Sequence, residues 1–131
     1  CVCSVFPTGV ERVEWSDAGE AAALAGMDIG LAPMPDDEWT RGKCGTRILQ
    51  YFAAGLPVVA DRVGVHSDLV ESGKSGYLVQ SLSEWIARVS ELIADGSKRL
   101  AFGDRGRATV VQRYSLDAIA PRLIELLAKP Q

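Results

Sequence analysis

The chain alternates short apolar runs with stretches whose apolar residues recur at helical spacing. Three apolar runs, at 28–34 (DIGLAPM), 58–60 and 76–79 (GYLV), predict short buried strands. Helical spacing predicts helices at 16–25, 46–54, 82–95, 97–113 and from 115 onward. Strands that alternate with helices are typical of a parallel α/β sheet, so we expect a three-layer sheet with helices on both faces.

Four further segments carry weaker signals. Residues 10–15 (VERVEW) alternate apolar and charged side chains, which predicts a half-exposed strand. The polar, breaker-rich residues 35–43 predict a loop, and 68–72 predict one helical turn that ends at Gly73. In the last helix, Pro121 disfavours a continuous run, so we expect the helix to restart with this proline in its first turn. Five of its apolar residues are expected to face inward, namely Leu116, Ile119, Leu123, Leu126 and Leu127.

The parallel topology predicts where a ligand would bind. Right-handed crossovers put the loops that follow the strands on one edge of the sheet. The loop after Met34 and the loop after Ala60 therefore belong to the same edge, which is the edge where open α/β sheets bind ligands.

Length and charge narrow the class of protein. The 131 residues suit one domain, 1–131, with 97–131 as a helical tail, and no apolar run is long enough for a transmembrane helix. A net charge of −3 argues against general nucleic-acid binding. The charge is uneven, because residues 1–38 hold eight acids and one base, whereas 39–131 hold thirteen bases and nine acids. The basic part is either solvated helix surface or a surface that attracts an anion such as phosphate.

The cysteines indicate a reducing environment. Three cysteines do not form a disulfide framework, which favours free thiols and a cytoplasmic location. A metal site built from Cys1, Cys3, Cys44 and His66 has no support in their spacing, and no metal is expected.

The segment GKCGTRILQ, residues 42–50, carries the clearest chemical signal. Gly42, Gly45 and the later Gly64 allow the backbone to approach a ligand with no Cβ in the way. Gly45 stands where a helix begins, and free N–H groups and the positive end of the helix dipole favour an anion there. Side chains that add to such a site are Lys43, Arg47, Arg62 and, through its amide, Gln50. The alternative is that the glycines serve only turns and packing.

Residues 28–79, DIGLAPMPDDEWTRGKCGTRILQYFAAGLPVVADRVGVHSDLVESGKSGYLV, resemble the C-terminal domain of retaining, nucleotide-sugar-dependent "group 1" glycosyltransferases of the GT-B type. AAGLPVVA, the following VGV and ESGKSGYLV are the most specific parts of the match. The resemblance implies a Rossmann-like fold that binds a nucleoside-diphosphate sugar without a cofactor. It also implies a hexosyl transfer in polysaccharide or glycoconjugate synthesis.

In this family a segment of the form E-G-F-G-x-x-x-x-E grips the donor, and residues 42–50 occupy the matching positions, Lys43 included. The resemblance implies that the backbone amides of Cys44 and Gly45 meet the donor sugar and that Thr46 and Arg47 lie near the diphosphate. Gln50 would stand at the ribose. Gly64 and Val65 would form a second loop near the phosphates.

Two positions depart from the family segment at residues that contact the sugar and the ribose in the family. Gly42 and Gln50 replace the two glutamates of the family segment, and a neutral amide accepts hydrogen bonds more weakly than a carboxylate does.

His66 lacks an evident orienting partner, so the general base is not identified. Trp39 is expected to cover the apolar floor of its own loop, although it would also suit stacking on a base or an acceptor.

The resemblance also implies parts that precede Cys1. These are a first strand with its glycine loop and an N-terminal domain that binds an acceptor glycan, lipid or small molecule. The chain would then be the last third of an enzyme, inactive alone and peripheral at most to the inner membrane face. An open sheet edge predicts a homodimer of the isolated chain. The alternatives are a non-catalytic nucleotide- or partner-binding module of the same fold and an epimerase of a related fold.

Overall fold

The computed structural model describes residues 9–10, 12–14 and 16–128. Three parallel strands form one sheet in the order β1-β2-β3, with Gly30 opposite Val58 and Val58 opposite Gly76. Their bounds are Gly30–Ala32 for β1, Val58–Asp61 for β2 and Gly76–Val79 for β3. All three predicted strands and the α/β class are therefore confirmed.

Seven helices accompany the strands in the described part of the chain. They are α1 (Glu20–Ala25), α2 (Glu38–Arg41), α3 (Thr46–Ala53), α4 (His66–Leu69), α5 (Leu82–Ala94), α6 (Gly96–Arg113) and α7 (Leu116–Ala128). Helices α3, α5 and α6 confirm the sequence prediction to within one or two residues at each end. None of the described helices has the length and apolarity needed to cross a membrane.

The short helices depart from the predictions. Helix α2 lies inside the segment predicted as a loop, because Asp37 and Thr40 form a capping box: Thr40 N donates to Asp37 Oδ1 over 2.8 Å, and Asp37 N donates to Thr40 Oγ1 over 3.2 Å. Helix α4 overlaps the helical turn predicted at 68–72 but begins and ends earlier, at His66 and Leu69. Ser16 caps a turn through Gly19 N, so α1 begins only at Glu20.

The strand predicted at 10–15 is wrong for the residues that are described. Val10 and residues 12–14 are irregular, whereas Glu11 and Trp15 lie outside the described residues. Val10 and Val13 are more than half exposed, and no described strand lies beside them to complete a ladder. The outer edge of β1 also has no neighbouring strand among the described residues, so the homodimer stays a prediction.

The core lies on both faces of the sheet because side chains alternate along β2. Val58 and Ala60 pack with Ile48 and Phe52 of α3 on one face. Val59 points to the other face, in a cluster that α5 and α6 complete with Leu92 and Phe102. The sheet is therefore covered by helices on both sides.

Helix α7 contradicts two expectations. It runs without interruption through Pro121, and it buries none of its residues. Leu116 is 85% exposed and Leu127 is 77% exposed, so the predicted inward face is solvent-accessible. Asp117, the residue whose carbonyl loses its i+4 donor at the proline, lies at the exposed start of the helix, where water can replace that bond.

Two glycines of α6 permit its close approach to the rest of the core. A Cβ on Gly103 would lie 1.9 Å from the carbonyl oxygen of Gly55, and one on Gly106 would lie 2.4 Å from the Phe52 ring. The sequence suggests that these glycines weaken the helix. The structure shows that they also let α6 pack closely against α3, at Phe52, and against the turn that follows it, at Gly55.

A polar network joins β3, α5 and α6 around Glu91. The Glu91 carboxylate accepts hydrogen bonds from Lys98 Nζ, from Tyr77 Oη over 2.7 Å and from Arg88 over 2.9 Å. These bonds, that of Lys98 first, lower the pKa of Glu91 from its ordinary value of 4.5 to about 2.

Replacing Gly103 with alanine is expected to destabilise the fold by about 1–3 kcal/mol, because the added methyl group would overlap the Gly55 carbonyl. The matched control is Gly96→Ala on the same helix, where a Cβ would meet nothing closer than 3.6 Å and the stability should change by less than about 0.5 kcal/mol. Urea unfolding measures both variants. Equal stability of the two would contradict this packing.

Replacing Glu91 with glutamine is expected to destabilise the chain at neutral pH and progressively less in acid. A carboxyl group whose pKa is lower in the folded state stabilises that state above the unfolded-state pKa, and the contribution is lost as the pH falls through the folded-state value. The window therefore runs from about pH 4.5 down to about pH 2. Unfolding free energies of wild-type and Glu91→Gln protein across that range test it, and a difference that stays constant would refute the network.

Candidate functional site

A cavity of about 460 Å³ lies where β1 ends and α3 begins. Its walls are residues 32–35 at and after the end of β1, residues 42–47 before and at the start of α3, and His66 in α4. The cavity thus brings together six of the predicted site residues at the expected edge of the sheet: Gly42, Lys43, Cys44, Gly45, Thr46 and Arg47.

Gly45 sets the geometry of the wall formed by residues 42–47. It precedes α3 in the left-handed conformation, with φ at 70°, which favours glycine. A Cβ at this position would lie 2.4 Å from Leu69 Cδ1 and 3.0 Å from Val65 Cγ1. The glycine therefore serves the packing of α3 against α4. It also leaves the start of α3 without a side-chain cap, so the first-turn N–H groups lack that partner.

The electrostatics of the wall favour an anion. Lys43 and Arg47 are exposed and form no ion pair within the described part of the chain. They stand at the positive end of the α3 dipole. Cys44 lies between these two residues in the sequence. Its pKa is lowered by a hydrogen bond with the Thr46 hydroxyl, whose oxygen is 3.1 Å from Sγ, and by a second hydrogen bond with the Thr46 backbone. The wall is thus suited to a phosphate group.

Gln50 lies outside this cavity and lines a second one of about 280 Å³ beneath α1. Its Nε2 donates a hydrogen bond to Glu20 Oε1 over 2.6 Å. Arg47 borders both cavities, and it is the residue that joins them. No local pattern pointed to Glu20, which lies thirty residues earlier in the chain.

Gly64 and Val65 line neither of these two cavities. Gly64 has φ at 51°, and a Cβ there would lie 2.9 Å from the carbonyl oxygen of Arg41. Val65 packs against the core cluster beneath the sheet. Both residues shape the loop that supports Gly45, and their contact with a ligand stays a prediction. Arg62 lines a third cavity, which shares residues 33–35 as a wall.

His66 is 2% exposed and has the orienting partner that the sequence did not reveal. Its Nδ1 lies 3.0 Å from the carbonyl oxygen of Asp61. Because a carbonyl only accepts hydrogen bonds, Nδ1 carries the proton and the neutral ring leaves Nε2 as an acceptor. Nε2 has no hydrogen-bond partner within the described residues. The partner of Nδ1 is a backbone atom, which a search for polar side chains misses.

Asp61 is a further residue that the sequence analysis missed. Its Oδ2 accepts a hydrogen bond from Met34 N over 2.7 Å, and its Oδ1 accepts one from Trp85 Nε1 over 2.8 Å. It therefore ties the wall after β1 to α5. The available signal was an acidic residue directly after the apolar run VVA.

The acidic residues Asp36 and Asp37, next to the cavity, form hydrogen bonds with neighbouring residues of the same segment. Asp36 accepts a hydrogen bond from Arg41 Nε over 2.6 Å, which lowers the pKa of this carboxyl group, and Asp37 caps α2. Trp39 is 81% exposed, so the expectation that it covers the loop is wrong. Among the described residues, no group of three or more His, Cys, Asp or Glu side chains is placed to hold a metal ion. Cys1 and Cys3 lie outside the described residues.

Comparisons with known proteins identify the family. The lipopolysaccharide core biosynthesis glycosyltransferase LpsE of Rhizobium meliloti is 34% identical over 86 residues, which are 64% of this chain and 25% of LpsE. The GDP-mannose-dependent alpha-(1-6)-phosphatidylinositol monomannoside mannosyltransferase of Mycobacterium tuberculosis is 32% identical over 85 residues, which are 63% of this chain and 22% of that protein. The chain thus spans between a fifth and a quarter of these curated relatives.

The comparison of folds and the match to a family profile agree with these relatives. The crystal structure of Anabaena HepE in complex with UDP superimposes with a TM-score of 0.65 and 25% identity, over 81% of this chain and 29% of HepE. The sequence profile described as "Glycosyl transferases group 1" matches residues 6–95, which is more than half of the chain. The chain therefore belongs to the group 1 glycosyltransferases.

Proposed function

We propose that this chain is the donor-binding part of a glycosyltransferase that moves a sugar from a nucleoside-diphosphate sugar to an acceptor. The observation that carries the proposal is the uncapped start of α3, which lines a cavity together with the unpaired cations Lys43 and Arg47. An uncapped helix start and two free cations suit a diphosphate, which carries negative charge at neutral pH.

We infer a direction for the donor from the two cavities that Arg47 borders. Arg47 borders both cavities, so a diphosphate beside it would place the nucleoside toward Gln50 and the sugar toward residues 42–45 and His66. Breaking the bond between sugar and diphosphate develops negative charge on the leaving phosphate. Fixed amides and cations at the start of α3 stabilise that charge more in the transition state than in the ground state. In this proposal these amides and cations stabilise the negative charge of the leaving phosphate without a metal ion.

The relatives support this donor class. HepE was crystallised in complex with UDP, and the mycobacterial relative is named for its dependence on GDP-mannose. In our proposal the acceptor, a glycan, lipid or small molecule, is bound by a part of the protein outside these residues. The exposed thiol of Cys44 supports a reducing, cytoplasmic setting.

Replacing Arg47 with alanine is expected to weaken the binding of UDP or GDP by about tenfold, because one charge-assisted contact to the diphosphate is lost. Isothermal titration calorimetry on the chain measures it. Arg122→Ala, an exposed arginine on α7 that lines none of the cavities described above, is the matched control and should leave the affinity unchanged. An Arg47→Ala variant with wild-type affinity would refute the placement of the diphosphate.

His66 is expected to be protonated on Nδ1 whenever its ring is neutral, because Asp61 O accepts that proton. Long-range proton–nitrogen NMR spectra distinguish the two ring nitrogens. Addition of a nucleotide sugar should shift the Nε2 signal more than the Nδ1 signal, since only Nε2 lacks a partner within the described part of the chain. A neutral ring protonated on Nε2 would contradict this orientation.

A further inference from the structure

We propose that Glu20 is a specificity-determining residue of the donor site, whose carboxylate accepts hydrogen bonds from a vicinal diol of the ligand, the ribose diol of a nucleotide. The inference rests on the proposed function and adds a residue and a chemical requirement to it. It starts from the hydrogen bond between Gln50 Nε2 and Glu20 Oε1, which joins α3 to α1.

The pair presents two oxygen acceptors, and one N–H of the Gln50 amide is used between its own members. Gln50 directs its amide NH₂ at Glu20 Oε1 over 2.6 Å, which leaves Glu20 Oε2 and Gln50 Oε1 as acceptors. Neither side chain has another partner within the described residues. Both are half-buried, and both line the cavity of about 280 Å³. The cavity therefore contains two neighbouring oxygen acceptors on two different helices.

Two adjacent acceptors, one of them charged, select a ligand with two adjacent O–H donors. A phosphate group would be repelled by the carboxylate, whereas a vicinal diol donates one hydrogen bond to each oxygen. Hydrogen bonds to a carboxylate are roughly twice as strong as those to a neutral amide. Glu20 would therefore contribute more to binding than Gln50, whose role is to hold the carboxylate in place.

The position of Arg47 identifies which diol this is. Arg47 lies three residues before Gln50 on α3 and borders the same cavity. Residues at this spacing are neighbours on one helix face, separated by less than one turn of about 5.4 Å. In a nucleoside diphosphate the ribose is bonded directly to the phosphate, so a phosphate at Arg47 brings the ribose, before the base, to the Glu20–Gln50 pair.

The test compares ribonucleotides with analogues that lack the diol. Binding of UDP and GDP to the chain is measured by calorimetry beside binding of their 2′,3′-dideoxy forms. The wild-type chain is expected to prefer the ribonucleotide by about tenfold or more, the effect of a hydrogen bond to a charged group. Glu20→Gln keeps an acceptor for Gln50 but removes the charge. It should lower ribonucleotide affinity toward the dideoxy value and leave dideoxy affinity unchanged.

Two further variants separate this role from a structural one. Glu14→Gln removes an exposed carboxylate from the same cavity and should leave the preference for the ribonucleotide intact. The double variant Glu20→Gln, Gln50→Glu exchanges the carboxylate and the amide across the same hydrogen bond. It should recover most of the preference, because the cavity again contains one charged and one neutral acceptor.

The outcomes distinguish the two levels of the proposal. If Glu20→Gln weakens both ligands equally and lowers the unfolding temperature, Glu20 only ties α1 to α3 and the inference is overturned. An unchanged preference in Glu20→Gln, or equal wild-type affinity for both ligand forms, overturns the inference and leaves the proposed function standing. A wild-type chain that binds neither nucleotide overturns the proposed function, and the inference with it.

Discussion

The site depends on how Asp61 is held at the end of β2. One carboxylate oxygen receives the backbone N–H of Met34, and the other receives the indole N–H of Trp85. Its carbonyl oxygen then accepts the Nδ1 proton of His66. A single residue therefore fixes the wall after β1, the helix on the opposite face and the histidine in the cavity. A half-buried carboxylate is stable in this place because each of its oxygens has a donor.

The glycines show that packing and ligand access are not separate explanations. Gly45 is required because the side chains of Leu69 and Val65 occupy the space that a Cβ would need. Gly64 is required because the backbone of Arg41 occupies that space. These contacts allow the start of α3 to pack closely against α4. The same close approach leaves the start of α3 uncapped at the cavity wall. The packing interpretation is thus correct for Gly45 and Gly64, whereas anion binding at the start of α3 stays a prediction.

Local signals account for what the sequence predicted. The strands and α3 follow from apolar periodicity and from Gly-Leu-Pro, and residues 42–47 form one continuous loop and helix start, so they reach the cavity together. Features that depend on distant residues were missed. The strand predicted at 10–15 would have needed a neighbouring strand to pair with, and the apolar face of α7 would have needed a surface to pack against. Glu20 and Asp61 form hydrogen bonds with residues that lie 24 to 30 positions away in the sequence. Periodicity gives the face of an element, whereas only the tertiary structure shows whether anything packs against it.

The replacement of both family glutamates takes on a different meaning in three dimensions. Gly42 and Gln50 remove two carboxylates from the segment, yet the structure places the carboxylate of Glu20 in hydrogen-bond contact with Gln50. A carboxylate from another helix therefore stands beside Gln50. Arg47 lines the cavity of that carboxylate and the cavity at the start of α3, so it separates an acceptor-rich region from a cationic one. A ligand that joins a diol to a diphosphate matches this order of charges along the groove.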